Sequence, residues 1–268
     1  QYCHAEDDAG RRRPLQGYHR YRSQPRQQQH QCCVSEILKH FGQACLIVNL
    51  AEQLNSGQPD TLPSRLMPDI LERLQSVPRL MVLDVGLGVH ETVAFFGDRR
   101  CRLHFAGIHD ALHSPPRVEH QRQPGQLVDK QAEEAASYEA WRQHFAQSMN
   151  YPTDTRFDVC LFWDLFNYLD DIAIKAFADV LSPYLSDQTL AHAYLLLKAD
   201  NGFSSREYGI KSAGEIAIRA GAHNSLDYFP RPQARVTSMI SDFSVNHSVL
   251  RRDGLLEVSL RSKTGTAR

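Results

Sequence analysis

The chain has 268 residues, of which 42% are hydrophobic and 23% charged, the balance of an ordinary soluble globular protein. Its formal net charge of -1 creates no overall field that would favour nucleic acid or an anionic membrane as a partner. No run approaches the roughly 20 apolar residues needed to cross a bilayer, so no membrane span is expected. The length suits one sizeable α/β domain with an appendage.

The six cysteines form no C-x-x-C pair, and Cys101 and Cys160 lie within apolar runs. This pattern is typical of reduced thiols in a cytosolic protein rather than of a disulfide framework or a zinc site. A cytoplasmic location is therefore expected. The chain opens with Gln1 rather than Met, so a targeting segment could precede it.

The first 78 residues divide into two parts. Residues 1–31 are rich in Arg, Gln and His and lack recurring apolar positions, which predicts a disordered tail. This tail could be a basic arm for nucleic acid or acidic lipid, although its acidic residues favour a merely solvated segment. Residues 32–78 predict a helical cap, because apolar positions recur with helical spacing over 34–54 and again over 66–78.

From residue 79 to residue 268, strands alternate with helices. Strands are predicted at 80–86, 101–108, 157–165 and 190–199, and helices at 90–98, 138–149, 170–187 and 232–243. Such alternation indicates a parallel sheet with right-handed crossovers, and the Asp253-Gly254 dipeptide predicts a closing antiparallel hairpin. The expected fold is α/β, a Rossmann-like mostly parallel sheet with a C-terminal antiparallel hairpin, preceded by N-terminal helices.

The junction after the first core strand reads Asp84-Val85-Gly86-Leu87-Gly88. Glycines there permit a tight turn and a close approach of a ligand to the backbone. The acid before the first glycine can contact the positively charged amino-acid end of S-adenosylmethionine (SAM), and it would sit poorly beside a pyrophosphate. Glu91 stands where a nicotinamide or flavin fingerprint has its third glycine, and the chain has no P-loop motif.

Together with the order of the elements, this turn resembles the class I SAM-dependent methyltransferases. Their first motif, [DE]-x-G-x-G-x-G, matches at 84–90, with His90 in place of the last glycine. The segment 157–171 is similar to a family strand that ends in an acid and leads into a helix. The tail at 242–262 is similar to the family's reversed sixth and seventh strands.

The resemblance implies SAM as the cofactor and assigns roles to five residues. Asp84, Gly86 and Gly88 would line the methionine end of SAM. Asp110 is the nearest match to the acid that closes the family's second strand and binds the ribose hydroxyls. Asp164, after the strand at 157, would face the methyl donor or the substrate.

Three features depart from the family pattern. His90 places a bulky side chain at the start of a helix where backbone and cofactor come close. No strand is evident over 109–137, where the family's third strand carries an adenine-contacting acid; Asp129 and Glu133 are the acids available there. The Asn/Asp-Pro-Pro-Tyr signature is absent at 164–167, which disfavours DNA-adenine-type chemistry.

Methyl transfer often needs a general base. His192 lies inside an apolar strand and is expected in the core, His247 lies in the penultimate strand, and His223 follows a loop and is the most exposed by sequence. Asp164 and His223 are therefore the catalytic candidates. The histidines at 104, 109 and 113 fit no zinc or facial-triad spacing, so no metal is expected.

Residues 203–231 form an insertion that could be a lid over the carboxyl edge of the sheet. Apolar positions alternate on either side of Gly214, which fits a β-hairpin, while a helix over 212–220 is the alternative.

The leading hypothesis is a metal-independent SAM-dependent methyltransferase whose acceptor is a small molecule or a protein side chain. The second hypothesis is a catalytically silent methyltransferase-like domain that binds a partner. A nicotinamide-dependent oxidoreductase ranks third because of Asp84 and Glu91.

Overall fold

A computed structural model describes residues 59–116, 129–199, 204–221 and 226–264 of the chain. The strands are β1 Asp60–Pro63, β2 Leu80–Asp84, β3 Cys101–Phe105, β4 Val159–Trp163, β5 Leu190–Leu196, β6 Arg206–Ser212, β7 Glu215–Ala220, β8 Phe243–Leu250 and β9 Leu255–Ser262. The α-helices are α1 Met67–Arg73, α2 His90–Gly97, α3 Ile108–His113, α4 Lys130–Ser148, α5 Asp171–Leu181 and α6 Gln233–Met239. Short 3-10 turns follow β4 at Leu165–Asn167 and α5 at Ser182–Tyr184.

Six strands form the main sheet in the order β3-β2-β4-β5-β9-β8. The strands β3, β2, β4 and β5 run parallel, whereas β9 is antiparallel to β5 and β8 is antiparallel to β9. The predicted α/β fold, with its parallel sheet and its reversed C-terminal hairpin, is thus confirmed. Within the described ranges, no helix is both long and apolar enough to cross a bilayer.

Hydrophobic side chains pack on both faces of this sheet, because successive residues of a strand point to opposite sides. Leu83, Cys160 and Phe162 face a core shared with α4, α5 and α6. Val82 and Leu161 face a second core, which they share with α1, α2 and the β6–β7 hairpin. Strands buried on both faces explain the continuous apolar runs of the sequence.

A second sheet of three antiparallel strands, in the order β1-β7-β6, covers part of that second core. The insertion over 203–231 therefore contains the predicted hairpin, and the alternative helix over 212–220 is wrong. Strand β1 was missed, because its four residues fall in a stretch rich in Pro and Gly that predicted a break.

Several predicted boundaries moved. Helix α1 confirms the second predicted N-terminal helix, but it ends at Arg73 rather than near Pro78. The first predicted helix, over 34–54, and the tail at 1–31 lie outside the described residues. The second core strand ends at Phe105, earlier than predicted. Helix α4 begins at Lys130, eight residues (138 − 130) before the predicted start, because Asp129 caps it by accepting hydrogen bonds from Gln131 N and Ala132 N.

Candidate functional site

The carboxyl ends of β2 and β4 meet at the point where the strand order of the sheet reverses. From β2 the chain crosses to β3 on one side, and it returns to β4 on the other side. Ligands of open α/β sheets bind in the crevice that forms at such a point. Asp84 ends β2 there, and Asp164 directly follows the last residue of β4.

The Asp84 carboxylate is fully buried. Its Oδ1 accepts hydrogen bonds from Gly86 N at 2.8 Å and from the Trp163 indole Nε1 at 2.7 Å. Its Oδ2 has no hydrogen-bond partner within the described part of the chain. Burial raises the pKa of Asp84 to about 7, against the lowering effect of these two donors. One oxygen is therefore available to a further donor.

The two glycines of the turn have different roles. Gly88 has a φ of +71°, a left-handed conformation that glycine adopts without steric cost. A Cβ at Gly88 would lie 3.1 Å from the Phe105 ring, so β3 also closes on this position. A Cβ at Gly86 would lie 3.0 Å from Cδ1 of Trp163, so the indole lies against the half-exposed Gly86 backbone.

The start of α2 carries two residues that the sequence singled out. His90, which stands in place of the last motif glycine, is exposed. Glu91 forms an ion pair with Arg219 of β7, with Oε2 lying 2.8 Å from Nη1. The β6–β7 hairpin is thereby attached to the first turn of α2.

Asp164 is also buried, with 5% of its surface exposed. It accepts a hydrogen bond from the Tyr168 hydroxyl at 2.9 Å. Burial raises the pKa of Asp164 to about 7, and the bond from Tyr168 opposes the shift. Nearby, Asn167 bridges to β5, donating to Tyr194 O at 3.1 Å and accepting from Leu196 N at 2.8 Å. Asn167 thus fixes the turn that carries Asp164.

Trp163 is the site residue that sequence reasoning missed. It has a φ of +48°, the one left-handed non-glycine conformation among the described residues. Its indole stacks on Tyr208 of β6, with ring centroids 5.6 Å apart and planes 7° apart. No pattern in the sequence signals this conformation, since an apolar residue at the end of a buried strand is expected to pack in the core.

The structure therefore brings Asp84, Gly86 and Asp164 to one edge of the sheet. Gly88 lies in the same turn as Gly86, against the Phe105 ring. Asp110 lies within α3 rather than at the end of β3, and its side chain is not among those described. His223 lies outside the described residues.

Neither His192 nor His247 is an accessible base at this edge. His192 is fully buried and pairs through Nε2 with Glu257 Oε1 at 3.1 Å. Burial by itself would raise the pKa of Glu257. The hydrogen bonds from His192, Ser64 and the backbone outweigh burial and lower the pKa to about 2. His247 lies on the exposed strand β8.

His104 packs against Phe157 and Tyr151, and burial lowers its pKa to about 4. Across the described residues, no group of three His, Cys, Asp or Glu side chains could hold a metal ion.

No protein-family model and no curated protein matches the chain. It is similar to several solved structures. One is described as a DhpI-SAM-HEP complex, with 14% identity, 73% of this chain and 85% of that chain covered, and a TM-score of 0.36. Another is Burkholderia thailandensis 1,6-didemethyltoxoflavin-N1-methyltransferase with bound 1,6-didemethyltoxoflavin and S-adenosylhomocysteine, with 15% identity, coverage of 94% and 92%, and a TM-score of 0.36. A third is the PH0226 protein from Pyrococcus horikoshii OT3, with 13% identity, coverage of 74% and 88%, and a TM-score of 0.41.

The assignment of fold rests on the order and direction of the strands. A mostly parallel sheet with a strand-order reversal beside an acid–glycine turn, closed by a reversed hairpin, is a Rossmann-like α/β fold.

Proposed function

We propose that this chain is a SAM-dependent methyltransferase that acts on a small molecule or a protein side chain without a metal ion. One observation carries the proposal. The buried Asp84 carboxylate keeps one unpartnered oxygen at the strand-order reversal, beside the half-exposed backbone of Gly86. A buried carboxylate oxygen that lacks a partner favours a cationic ligand, because an ammonium group would supply both a donor and the opposite charge.

The residues present fit the amino-acid end of SAM. Asp84 would receive the ammonium group, and Gly86 would let the ligand approach the main chain once the Trp163 indole that lies against it moves away. Ionisation of Asp84 would accompany binding, because its pKa near 7 leaves the free carboxyl only partly charged at neutral pH. Bound SAM would supply a methyl group activated by its sulfonium. Asp110 is proposed for the ribose on the resemblance alone.

Asp164 is the proposed base of the site. Its pKa near 7 is matched to proton transfer at neutral pH, and the Tyr168 hydroxyl orients one of its oxygens. It would take the proton from an acceptor hydroxyl or amine as the methyl group moves. The β6–β7 hairpin, whose Tyr208 stacks on Trp163, is proposed as the lid over the acceptor.

A specific observation also favours the second hypothesis, a catalytically silent domain that binds a partner. The Trp163 indole already fills the space beside Gly86 and bonds to Asp84. If it never leaves, the turn has no room for a cofactor. We also propose a reducing, cytoplasmic location, because the buried Cys160 thiol forms no disulfide within the described residues.

A thermal-shift series with SAM, its product S-adenosylhomocysteine (SAH) and NAD(P) tests the proposal. A ligand that binds only the folded state must raise the melting temperature. SAM and SAH are expected to raise it in a dose-dependent manner, and NAD(P) is not. A shift with NAD(P) alone would revive the oxidoreductase, and no shift with any of the three would favour the silent domain.

The Gly86→Val variant locates the binding site. Its side chain would collide with Asp84 and Trp163, so the SAH-induced shift is expected to disappear. Gly97→Val is the matched control at the end of α2, because a Cβ there meets no described atom within 4 Å. An equal shift in both variants would place the ligand elsewhere.

A further inference from the structure

The backbone of Trp163 is held in a costly conformation. A bulky residue at a φ of +48° lies in the left-handed region, where a side chain with a Cβ is strained. The pairing of β4 with β5 shifts register between Leu161 and Trp163, so the strain coincides with an irregularity at the end of the strand. Such a conformation persists only where surrounding contacts over-determine it.

Those contacts come from four elements. The His192 ring of β5 lies edge-on to the indole, with ring centroids 5.9 Å apart. The indole Nε1 donates to Asp84 at the end of β2, the ring edge lies against Gly86 in the turn, and the ring face stacks on Tyr208 of β6. Trp163 is 2% exposed as a result. One side chain thus occupies both features proposed to receive the amino-acid end of SAM.

The hairpin that supplies Tyr208 packs against the start of α2. A Cβ at Gly209 would lie 2.4 Å from the Val89 side chain, so the hairpin backbone lies directly against that side chain. Ile210 N donates to the Thr92 hydroxyl at 3.2 Å, and Arg219 pairs with Glu91. Movement of Tyr208 with the hairpin would uncover one face of the indole ring.

We propose that Trp163 is a gate of the cofactor site, closed in this structure. The inference rests on the proposed function and concerns the regulation of the same site. In the closed form the indole N–H holds Asp84 Oδ1 and the ring covers Gly86. An adenosyl ligand displaces the ring, its ammonium group takes over the Asp84 carboxylate, and the stack on Tyr208 opens.

The chain contains two tryptophans, which makes the gate observable. Trp141 stacks on Phe145 in α4, away from the turn. In a Trp141→Phe background, Trp163 is the single indole fluorophore. Addition of SAH should increase its quenching by acrylamide several-fold as the ring leaves its buried position. SAH binding with unchanged quenching would overturn the gate and leave the proposed function standing.

Affinity gives a second readout. Because the closed form competes with the ligand, Trp163→Ala should bind SAH about tenfold more tightly, equivalent to roughly 1.4 kcal/mol. Tyr208→Leu removes the stacking partner but keeps the indole, and it should also bind SAH more tightly than the wild type. This second variant tests the gate if Trp163→Ala does not fold. Trp141→Phe is the control and should bind like the wild type.

The outcomes separate the two proposals. Binding by Trp163→Ala but not by the wild type would support a gate that stays closed. Weaker or equal binding by both gate variants would overturn the gate alone. No binding by the wild type or either variant, with all three folded by circular dichroism, would overturn both the gate and the proposed function.

Discussion

Among single residues, Asp84 affects both the stability of the folded chain and its proposed binding of a ligand. Its pKa is raised to about 7 in the folded chain from an ordinary value of 3.8. A raised pKa means that the protonated carboxyl favours the folded chain. Its contribution to the free energy of unfolding is fully present below pH 3.8 and is lost as the pH rises through 7. The same buried charge that destabilises the folded chain at higher pH is the charge that would bind an ammonium group.

The Asp84→Asn variant separates these two effects. The amide oxygen can still accept from Gly86 and Trp163, but no charge is buried. The free energy of unfolding of the variant relative to wild type should rise by up to roughly 4 kcal/mol between pH 4 and pH 8. Urea unfolding at both pH values measures it, and SAH affinity at pH 8 should fall. A pH-independent difference would contradict the assigned ionisation.

The sequence predicted Asp84 and Gly86 because their chemistry follows from a local motif. It did not predict Trp163, because a left-handed backbone and a stack on Tyr208 arise only when β4 and the hairpin meet. Asp129 shows the same limit. The sequence marks it only as one of two acids in a polar stretch without an evident strand, and the structure makes it the cap of α4.

At the scale of elements, the β6–β7 hairpin and α2 form the critical contact. Gly209→Ala should force the hairpin away from Val89, because the added Cβ would lie 2.4 Å from that side chain. We expect a loss of about 1–3 kcal/mol in stability, typical of overpacking, and faster proteolysis within the hairpin. Gly214→Ala in the turn is the control, since a Cβ there meets no described atom within 4 Å. Equal stability of the two variants would contradict the close docking.

Elements with strong periodicity were predictable and those without it were not. The hairpin at β6 and β7 follows from alternating apolar residues, and the β8–β9 hairpin follows from Asp253-Gly254. Strand β1 is short and largely exposed, so it has no alternating pattern to detect. Its position is set by pairing with β7, a contact between residues far apart in the chain.

For the whole molecule, Glu257 ties the last strand to the segment before α1. It is fully buried and accepts hydrogen bonds from Ser64 Oγ, Arg65 N and Leu66 N as well as from His192. Its pKa is lowered from 4.5 to about 2. The stabilisation is therefore present above 4.5 and is lost as the pH falls through 2.

Glu257→Gln should consequently lower the free energy of unfolding by roughly 3 kcal/mol at neutral pH, because it removes one partner of a buried pair. The difference from wild type should shrink as the pH falls below 4.5. Thermal unfolding between pH 7 and pH 3 measures both effects, with the exposed Glu134→Gln on α4 as the control. A difference that grows towards low pH would contradict the lowered pKa.

Calorimetric titration of the wild-type chain with SAH measures whether the turn at Asp84 and Gly86 holds this cofactor. We expect saturable binding to one site per chain, lost in Gly86→Val, retained in Gly97→Val and weakened in Asp84→Asn. Absence of binding heat in the folded wild type and in Trp163→Ala, at temperatures where binding enthalpy would be measurable, would contradict it. The fold would then stand as a methyltransferase-like scaffold that does not use this cofactor.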